Sequence, residues 1–424
     1  MAELIDTKEI EERVILVAVS TNDNDDTEES LDELNELVKT AGAVTVGRVI
    51  QNREAVHSGT YVGKGKIDEI RELAASVGAT GIVCDDELTP AQMRNLSEEL
   101  PYKIMDRTLI ILDIFASRAT TSEGKIQVEA AQLKYRMARL VGFGATMSRI
   151  GGSMGAGGPI GTRGPGEKKL ELDRRLIKNR IVQLNNELKE ITTHRELARN
   201  QRKKNAIPVV AIVGYTNAGK STLLNKLTDA GVLAEDKLFA TLDPTTRNVT
   251  LESGQNVLLT DTVGFIRKLP HHLIEAFKST LEEAKYADII IHVVDASNPQ
   301  MDAQMHTVYQ TLSELGADDK TVITLFNKQD KVENEVILKD FKAEKVVYGS
   351  AKTGEGLSEL KNVLEEILRS QKIYIEKVYP YDKAAKIQLI RKYGQLLSEE
   401  YTEEGIAVKA YIPSEFYENV SDTN

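Results

Sequence analysis

Cysteine and tryptophan are nearly missing from this chain of 424 residues, which contains one cysteine, Cys84, and no tryptophan. A single cysteine excludes an internal disulfide and a metal site built from cysteines, so we expect a reducing, cytoplasmic environment. Long apolar runs are also absent, and the longest stretches, such as residues 289–296, reach less than half of the roughly 20 residues that a membrane helix needs. The N-terminal segment has no apolar signal region, so we expect a soluble protein without a membrane span.

Length and charge restrict the architecture further. At about 150 residues per domain, the chain is long enough for two or three domains. Its content of 41% apolar and 28% charged residues excludes wholesale disorder. The net charge of −11 argues against a surface that is positive throughout, although it leaves room for a local basic region. Nothing in the sequence indicates an obligate dimer, and we expect a monomer when the protein is free.

Strand and helix signals alternate in residues 1–123. Apolar runs predict strands at residues 14–19, 43–51, 59–63, 80–86 and 102–105. Helices are predicted to begin at Thr27, Lys66, Pro90 and Thr108. Because this alternation is typical of a parallel sheet, residues 1–123 are expected to form a small α/β domain.

Residues 124–206 have a different pattern. Apolar residues recur at intervals of three and four along 124–141 and again along 169–204, which predicts two helices. Between them, residues 142–166 contain 10 of the 29 glycines of the chain, and we expect this segment to be free of helix. The pattern predicts a helical hairpin with a glycine-rich tip.

The predicted hairpin is strongly basic. Residues 118–204 contain 19 Lys and Arg against 8 Asp and Glu, a net charge of +11, so the rest of the chain carries −22. A flexible cationic tip on a helical stalk suits contact with the phosphates of structured RNA, while no RNA-recognition module with stacking aromatics is visible. The alternative is a solvated coiled coil with an incidental excess of basic residues. The basic residues at or near the tip are Arg136, Arg139, Arg149, Arg163, Lys168, Lys169, Arg174, Arg175, Lys178 and Arg180.

Strands and helices alternate again in residues 207–371, which predicts a second α/β domain. This domain opens with a strand followed by GYTNAGKS, which fits the GxxxxGK[ST] pattern of a phosphate-binding loop. Backbone N–H groups of such a loop face the phosphates, Lys220 reaches the terminal phosphates, and the Ser221 hydroxyl binds Mg²⁺. The expected binding residues are Gly214, Tyr215, Thr216, Asn217, Ala218, Gly219, Lys220 and Ser221. The remaining residues, 372–424, show strand, helix and strand signals and predict a small α+β domain.

Three further motifs in the expected order predict that the nucleotide is GTP. Asp330 of NKQD can accept hydrogen bonds from N1–H and the 2-amino group of guanine, which adenine does not offer in that arrangement. In DTVG, Asp261 is expected to hold Mg²⁺ through water, and the Gly264 amide to sense the γ-phosphate. In SAK, a backbone amide is expected to bind guanine O6. The residues of these motifs are Asp261, Thr262, Val263, Gly264, Asn327, Lys328, Gln329, Asp330, Ser350, Ala351 and Lys352.

The sequence FATLDPTTR lies where the first nucleotide-sensing switch is expected. The residues expected to contact the nucleotide are Phe239, Ala240, Thr241, Leu242 and Asp243. Three threonines, Thr241, Thr245 and Thr246, compete for the Mg²⁺-binding role, and spacing alone leaves this choice open.

Together, GYTNAGKS, FATLDPTTR, DTVGFIRKLP and NKQD, downstream of the basic hairpin, resemble the HflX family of ribosome-associated GTPases. The resemblance runs from the first strand to near the C-terminus and implies a Ras-like GTPase domain that hydrolyses GTP with Mg²⁺. It further implies that the hairpin binds ribosomal RNA of the large ribosomal subunit, in a role in splitting stalled or idle ribosomes under stress. The FATLDP context also resembles Obg-related GTPases, which implies that Thr241 is the Mg²⁺ ligand.

The residue after DTVG predicts slow hydrolysis by the isolated protein. Many GTPases have a glutamine there to orient the attacking water, whereas Phe265 has no polar group for this task. The expected catalytic residues are Lys220, Thr241, Gly264 and Asn217. Some similar GTPases with asparagine at the position of Asn217 coordinate K⁺, so the resemblance implies stimulation by K⁺. The alternative is that Asn217 only caps the loop.

Two other classes of function stay open at this point. One is an assembly or anchoring protein that uses GTP as a structural ligand. The other is a regulatory partner of a membrane protease or of an RNA-processing enzyme. Sedimentation with ribosomal subunits distinguishes both from a ribosome-binding GTPase.

Overall fold

A computed structural model of the chain describes residues 11–21, 26–150, 165–204, 207–228, 238–270, 273, 278–332 and 338–420. The chain divides into two compact units. The first comprises residues 1–191, 236–242 and 267–278, and the second comprises residues 192–235, 243–266 and 279–424. None of the described helices is long and apolar enough to cross a membrane.

The first unit contains a four-stranded parallel sheet with the order β2-β1-β3-β4. Its strands are β1 (Arg13–Ser20), β2 (Val44–Asn52), β3 (Gly81–Cys84) and β4 (Lys103–Asp106). The helices between and after them are α1 (Thr27–Thr40), α2 (Lys64–Val77), α3 (Pro90–Glu99) and α4 (Arg107–Arg118). Buried aliphatic side chains of β1 and β3 form the core with α2 and α3, as expected for a parallel sheet covered on its faces.

The strand predicted at residues 59–63 is wrong. His57 and Tyr61 form only an isolated bridge, and Tyr61 has a φ of 65°. A left-handed residue turns the chain back on itself, so the segment cannot stay extended. The Tyr61 side chain is buried, and its hydroxyl donates a hydrogen bond to Asp86 at 2.7 Å.

Two long helices follow, α5 (Ser122–Ile150) and α6 (Pro165–Lys204). The expectation that residues 142–166 are free of helix is wrong for 142–150 and 165–166, because α5 continues to Ile150 and α6 begins at Pro165. Only Gly142 and Gly144 fall in the first of these stretches, and two glycines at about 1 kcal/mol each do not by themselves end a helix. The rest of the glycine-rich tip, residues 151–164, lies outside the described residues.

The second unit is built on a six-stranded sheet with the order β10-β9-β8-β5-β7-β6. All neighbouring strands are parallel except β6 and β7, which form an antiparallel pair. The strands are β5 (Val209–Gly214), β6 (Thr245–Thr250), β7 (Asn256–Asp261), β8 (Ile289–Asp295), β9 (Thr321–Asn327) and β10 (Lys345–Tyr348). The helices of this region are α7 (Lys220–Thr228), α8 (Lys278–Tyr286), α9 (Met301–Glu314) and α10 (Leu357–Ser370). The predicted α/β class is confirmed, and the carboxyl ends of the parallel strands form one edge where ligands bind in such sheets.

The C-terminal segment forms a three-stranded antiparallel sheet with the order β11-β13-β12. Its elements are β11 (Lys372–Tyr379), α11 (Ala384–Tyr393), β12 (Gln395–Thr402), β13 (Gly405–Pro413) and α12 (Ser414–Val420). The sequence analysis did not predict β12 or α12. The β12 sequence QLLSEEYT lacks apolar alternation, and its extended form comes from pairing with β13 rather than from its own pattern.

Candidate nucleotide-binding site

The loop between β5 and α7 has a backbone that only glycine allows at two positions. Gly214 and Gly219 have φ values of +154° and +101°. A Cβ at Gly214 would lie 2.2 Å from the carbonyl oxygen of Val293, and one at Gly219 would lie 2.3 Å from Asn327 Nδ2. Both glycines therefore let the loop pass against strand ends of the same sheet, at the start of α7.

Lys220 is the first residue of α7, and its side chain is buried under this loop. Its Nζ donates hydrogen bonds to the carbonyl oxygens of Gly214 at 3.1 Å and Tyr215 at 2.8 Å. Burial lowers the pKa of Lys220 to about 8, and the charge of Lys328 acts in the same direction, while Asp261 opposes it. The loop thus holds a buried cation whose charge a phosphate group would stabilise.

Ser221 and Asp261 meet beside Lys220. The Ser221 hydroxyl donates a hydrogen bond to Asp261 Oδ2 at 2.7 Å, and Asp261 is buried at the end of β7. A hydroxyl and a carboxylate are hard oxygen donors of the kind that Mg²⁺ prefers. No group of three His, Cys, Asp or Glu side chains among the described residues could hold a metal ion. The pair therefore fits a Mg²⁺ ion that receives its other ligands from phosphate and water.

Gly264 lies next to the loop, three residues after Asp261. A Cβ at Gly264 would lie 2.8 Å from Thr216 Cγ2 and 3.0 Å from Lys220 Nζ, so only glycine fits there. The next residue, Phe265, is buried, and its backbone N–H donates to the Gly214 carbonyl at 3.1 Å. With its side chain in the core, Phe265 cannot orient a water molecule.

The motifs that predict guanine recognition are joined by Asn327. Its Nδ2 donates to the carbonyl oxygen of Ala218 at 2.7 Å, and its Oδ1 accepts from the N–H of Ala351 at 2.8 Å. One buried amide thus connects the phosphate-binding loop, the end of β9 and the segment after β10. This bridge holds the three loops at fixed distances from one another.

Asp330 follows in a short 3₁₀ turn and is exposed. The Ser350 hydroxyl donates to Asp330 Oδ1 at 2.6 Å, and this hydrogen bond lowers the pKa of the carboxyl. Lys328 has a φ of 63° and its Nζ forms an ion pair with Asp295 at 2.7 Å. The sequence analysis missed Asp295, although its position at the end of β8, beside Asn327, was an available signal.

The switch segment is divided between the two units. Residues 238–242 belong to the first unit, where the Phe239 ring packs edge-on against Phe115 with 4.7 Å between ring centroids. Thr246 lies in β6 of the second unit, with its hydroxyl 2.9 Å from that of Thr260. The choice among the three threonines therefore stays a prediction.

Asn217 is exposed in the loop with a φ of 61°. Within the described residues its side chain has no hydrogen bond, so the structure gives no support to the alternative that Asn217 caps the loop. The left-handed backbone suits asparagine, which adopts this conformation more readily than most residues.

The basic residues of α5 and α6 are used in two ways. Arg139 forms an ion pair with the buried Asp106 at 2.7 Å, and Arg180 forms one with Glu129 at 2.7 Å. Arg139 therefore contributes to internal packing, whereas the pair of Arg180 and Glu129 is partly exposed and joins α6 to α5. Other basic side chains of the two helices are exposed, namely Arg136, Arg174, Arg175 and Lys178. The structure does not describe the side chains of Arg149, Arg163, Lys168 and Lys169.

Comparison with known families matches most of the chain. Residues 28–116 match the family described as GTP-binding GTPase N-terminal, and residues 118–202 match GTP-binding GTPase Middle Region. Residues 209–328 match the family described as 50S ribosome-binding GTPase. The GTPase HflX of Lacrimispora saccharolytica is 68% identical over 422 residues, which cover 100% of this chain and 98% of the relative. The chain belongs to the GTPase HflX family.

Further relatives extend this result. The GTPase HflX of Caldanaerobacter subterraneus is 49% identical over 96% of this chain and 93% of its own length. A solved GTP-binding protein of Sulfolobus solfataricus in complex with GDP is 24% identical, with a TM-score of 0.43 over 84% of this chain and 98% of that chain. Membership in the HflX family, together with the GTPase segment 209–328, makes the chain a GTP hydrolase.

Proposed function

We propose that this HflX-family GTPase binds the large ribosomal subunit in the cytoplasm and couples GTP binding and hydrolysis to ribosome association or splitting. The observation that carries the proposal is the match of residues 209–328 to 50S ribosome-binding GTPases. The charge distribution supports it, because residues 118–204 carry +11 and the rest of the chain carries −22. A basic helical pair on an acidic chain suits an RNA surface, where phosphate contacts dominate affinity.

We propose the following roles for the nucleotide site. Lys220 and the Gly264 amide contact the β- and γ-phosphates, and Asp330 recognises guanine together with a backbone amide of residues 350–352. Ser221, Asp261 and Thr241 hold Mg²⁺, the first and last directly and Asp261 through water. The hydrogen bond between Ser221 and Asp261 supports two of these three assignments.

We also propose that hydrolysis is slow without a partner and that Asn217 binds K⁺ in the working site. The buried side chain of Phe265 supports the first part, because no polar group replaces the usual glutamine there. The exposed amide of Asn217, which has no hydrogen bond within the part of the chain that the structure describes, supports the second part. Turnover measured with and without ribosomes, in K⁺ and in Na⁺, tests both parts. Brisk turnover in Na⁺ without ribosomes would contradict them.

The central experiment is sedimentation with purified ribosomal subunits in sucrose gradients. We expect co-sedimentation with the large subunit that is stronger with a non-hydrolysable GTP analogue than with GDP. Arg175→Glu should weaken it, whereas Lys339→Glu, an exposed charge reversal outside residues 118–204, should not. Equal binding to the large subunit with GTP analogue and with GDP would favour the alternative of an assembly or anchoring protein. Loss of intact ribosomes on addition of protein and GTP extends the result to splitting.

The four-part division of the chain also stays a proposal. It consists of residues 1–123, the helical hairpin 124–206, the GTPase segment 207–371 and the C-terminal segment 372–424. Limited proteolysis followed by mass spectrometry tests these boundaries, since exposed linkers are cut before folded segments.

A further inference from the structure

The C-terminal sheet has one covered and one open face. Helices α11 and α12 pack on the first face, against buried residues of β13 such as Val408, Ala410 and Ile412. The residues between these buried ones, and their cross-strand neighbours on β11, point to the opposite face, because side chains alternate along a strand. On that opposite face the side chains of Tyr374, Val378 and Lys409 are exposed.

Two tyrosines lie side by side on the open face. Tyr374 of β11 and Tyr411 of β13 are direct cross-strand neighbours, with 5.3 Å between ring centroids and 57° between ring planes. Tyr374 is 44% exposed although it is a large aromatic residue within a sheet. The Arg369 guanidinium, at the end of α10, lies 5.6 Å from the Tyr411 ring centroid. The face therefore presents aromatic surface with a cation at its side.

The charges next to the two tyrosines differ from one side to the other: the Tyr374 hydroxyl donates a hydrogen bond to Glu376 at 2.9 Å, whereas Arg369 and Lys372 lie on the other side. Burial lowers the pKa of Lys372 to about 8, and the positive charge of Arg369 acts in the same direction. The Lys372 Nζ donates to the side chain of Gln255 at 2.6 Å, and neither cation forms an ion pair within the described residues. Further along the same face, Lys409 and Glu376 neutralise each other at 2.8 Å. Two neighbouring cations without a carboxylate are a favourable place for an anion such as a phosphate.

We propose that this face binds single-stranded RNA, with bases stacked on Tyr374 and Tyr411 and a phosphate held by Arg369 and Lys372. In this sheet β13 lies between β11 and β12, and the two tyrosines lie on the neighbouring strands β11 and β13. RNA-recognition sheets present stacking aromatics on their strands to unpaired bases in the same way. A protein partner would use the aromatic surface equally well, but it would not need two adjacent uncompensated cations. The face shares no residue with the basic helices α5 and α6, and only the identification of its RNA as ribosomal rests on the proposed function.

Binding of a fluorescent oligouridine to the full chain, followed by anisotropy, tests the proposal. Tyr374→Ala and Tyr411→Ala should each weaken binding about tenfold, the effect typical of losing one base–aromatic stack. Tyr374→Phe should retain binding, because the ring is kept. Tyr401→Ala is the matched control, since Tyr401 is an exposed tyrosine of the same sheet outside the pair. Arg369→Gln should lower the slope of log affinity against log salt concentration by about 0.7, the value for one phosphate contact to a single strand.

The following results would overturn the proposal. Equal binding by wild type and the alanine variants excludes stacking, as does an equal loss in Tyr401→Ala. Thermal melting of each variant separates loss of binding from loss of folding, and Tyr374→Phe gives a second reading if an alanine variant unfolds. Sedimentation with large subunits tests the proposed function separately, because the oligouridine result stands even if subunits do not bind. Weaker subunit binding with unchanged oligouridine binding would mean that the face contacts a protein.

Discussion

The Ser221 hydroxyl donates a hydrogen bond to the Asp261 carboxylate at 2.7 Å, although the two residues are forty positions apart. Ser221 is held by the first turn of α7, and Asp261 by the end of β7, which pairs with β5 in register. The rigid strands and helix therefore position both oxygen atoms before any ion binds. Such preorganisation reduces the entropic cost of binding a metal together with a nucleotide.

Ser221→Ala should raise the Mg²⁺ concentration needed for half-maximal GTP hydrolysis. The hydroxyl is a proposed direct ligand, so we expect a shift of at least about tenfold, the lower limit seen even for partners of metal ligands. Titration of activity with Mg²⁺ measures this shift. Ser370→Ala is the matched control, because the Ser370 hydroxyl only donates to a helix carbonyl in α10. An unchanged Mg²⁺ requirement would refute the assignment of Ser221.

Asp330→Asn should change the preferred base. An amide cannot accept both hydrogens of guanine, but it can pair with the carbonyl of xanthine, so affinity should move from GTP to XTP. Loss of two hydrogen bonds to a charged group predicts about 100-fold weaker GTP binding. Calorimetry with GTP and XTP measures the exchange, and Asp302→Asn, at the start of α9, is the control. Unchanged GTP affinity would contradict guanine recognition by Asp330.

Gly264→Ala should reduce hydrolysis without unfolding the protein. The new Cβ would lie 2.9 Å from Thr216 Cα and 3.0 Å from Lys220 Nζ, so the loop or the lysine must move. Misplacement of a catalytic group by about 1 Å can reduce the rate about 100-fold. Turnover at saturating GTP is the measurement. Gly65→Ala is a suitable control, because a Cβ there meets no atom within 4 Å, and equal activity of both variants would argue against the close approach.

GTP binding should weaken as the pH rises above about 8. Burial places the pKa of Lys220 at about 8 in the free protein, and a bound triphosphate raises it. The contribution of the Lys220 charge to GTP affinity is complete below the pKa of the free protein. It is lost as the pH rises through the pKa of the bound state. Calorimetry in two buffers of different ionisation enthalpy should show proton uptake near pH 8. Lys220→Arg keeps its charge, so its affinity should not depend on pH in this range.

Arg107→Ala should destabilise the first unit. Arg107 is buried, and its guanidinium lies 2.9 Å from the buried carboxylate of Asp85. Removing one partner of a buried ion pair typically costs about 3–5 kcal/mol, and we expect the lower end of this range because Asp85 keeps its ion pair with Lys268. Hydrogen exchange of amides in β1 and β3 measures the loss. Lys39→Ala, which removes an exposed ion pair with Glu36, should change protection little.

The ion pair of Arg107 and Asp85 also predicts how the stability of the first unit depends on pH. Burial alone would raise the pKa of Asp85, but Arg107 and Lys268 outweigh it and lower the pKa below its usual value. A lowered pKa contributes stability above the unfolded pKa, about 4, and that stability is lost as the pH falls through the folded value. Asp85→Asn should therefore flatten the acid side of the stability curve of the first unit. An unchanged curve would mean that Asp85 does not carry this dependence.

Much of the fold followed from local patterns. Apolar runs predicted β1 and β5, and the helices α1 and α3 begin at Thr27 and Pro90, as the sequence pattern predicted. The segments 59–63 and 142–150 were misjudged, because a left-handed Tyr61 and the continuation of α5 through two glycines are not visible in composition. The strand β12 was missed because its pairing with β13 outweighs its own polar sequence.

The sequence by itself determined the chemistry of the loop at residues 214–221, since a glycine-rich turn, a lysine and a hydroxyl in consecutive positions define it locally. It also determined the order of the motifs for guanine and Mg²⁺. Only the tertiary structure decided that Asn327 joins Ala218 to Ala351 and that Tyr374 lies beside Tyr411. Those contacts depend on strand register and on packing between residues far apart in the chain, and no local preference of the backbone encodes such distances.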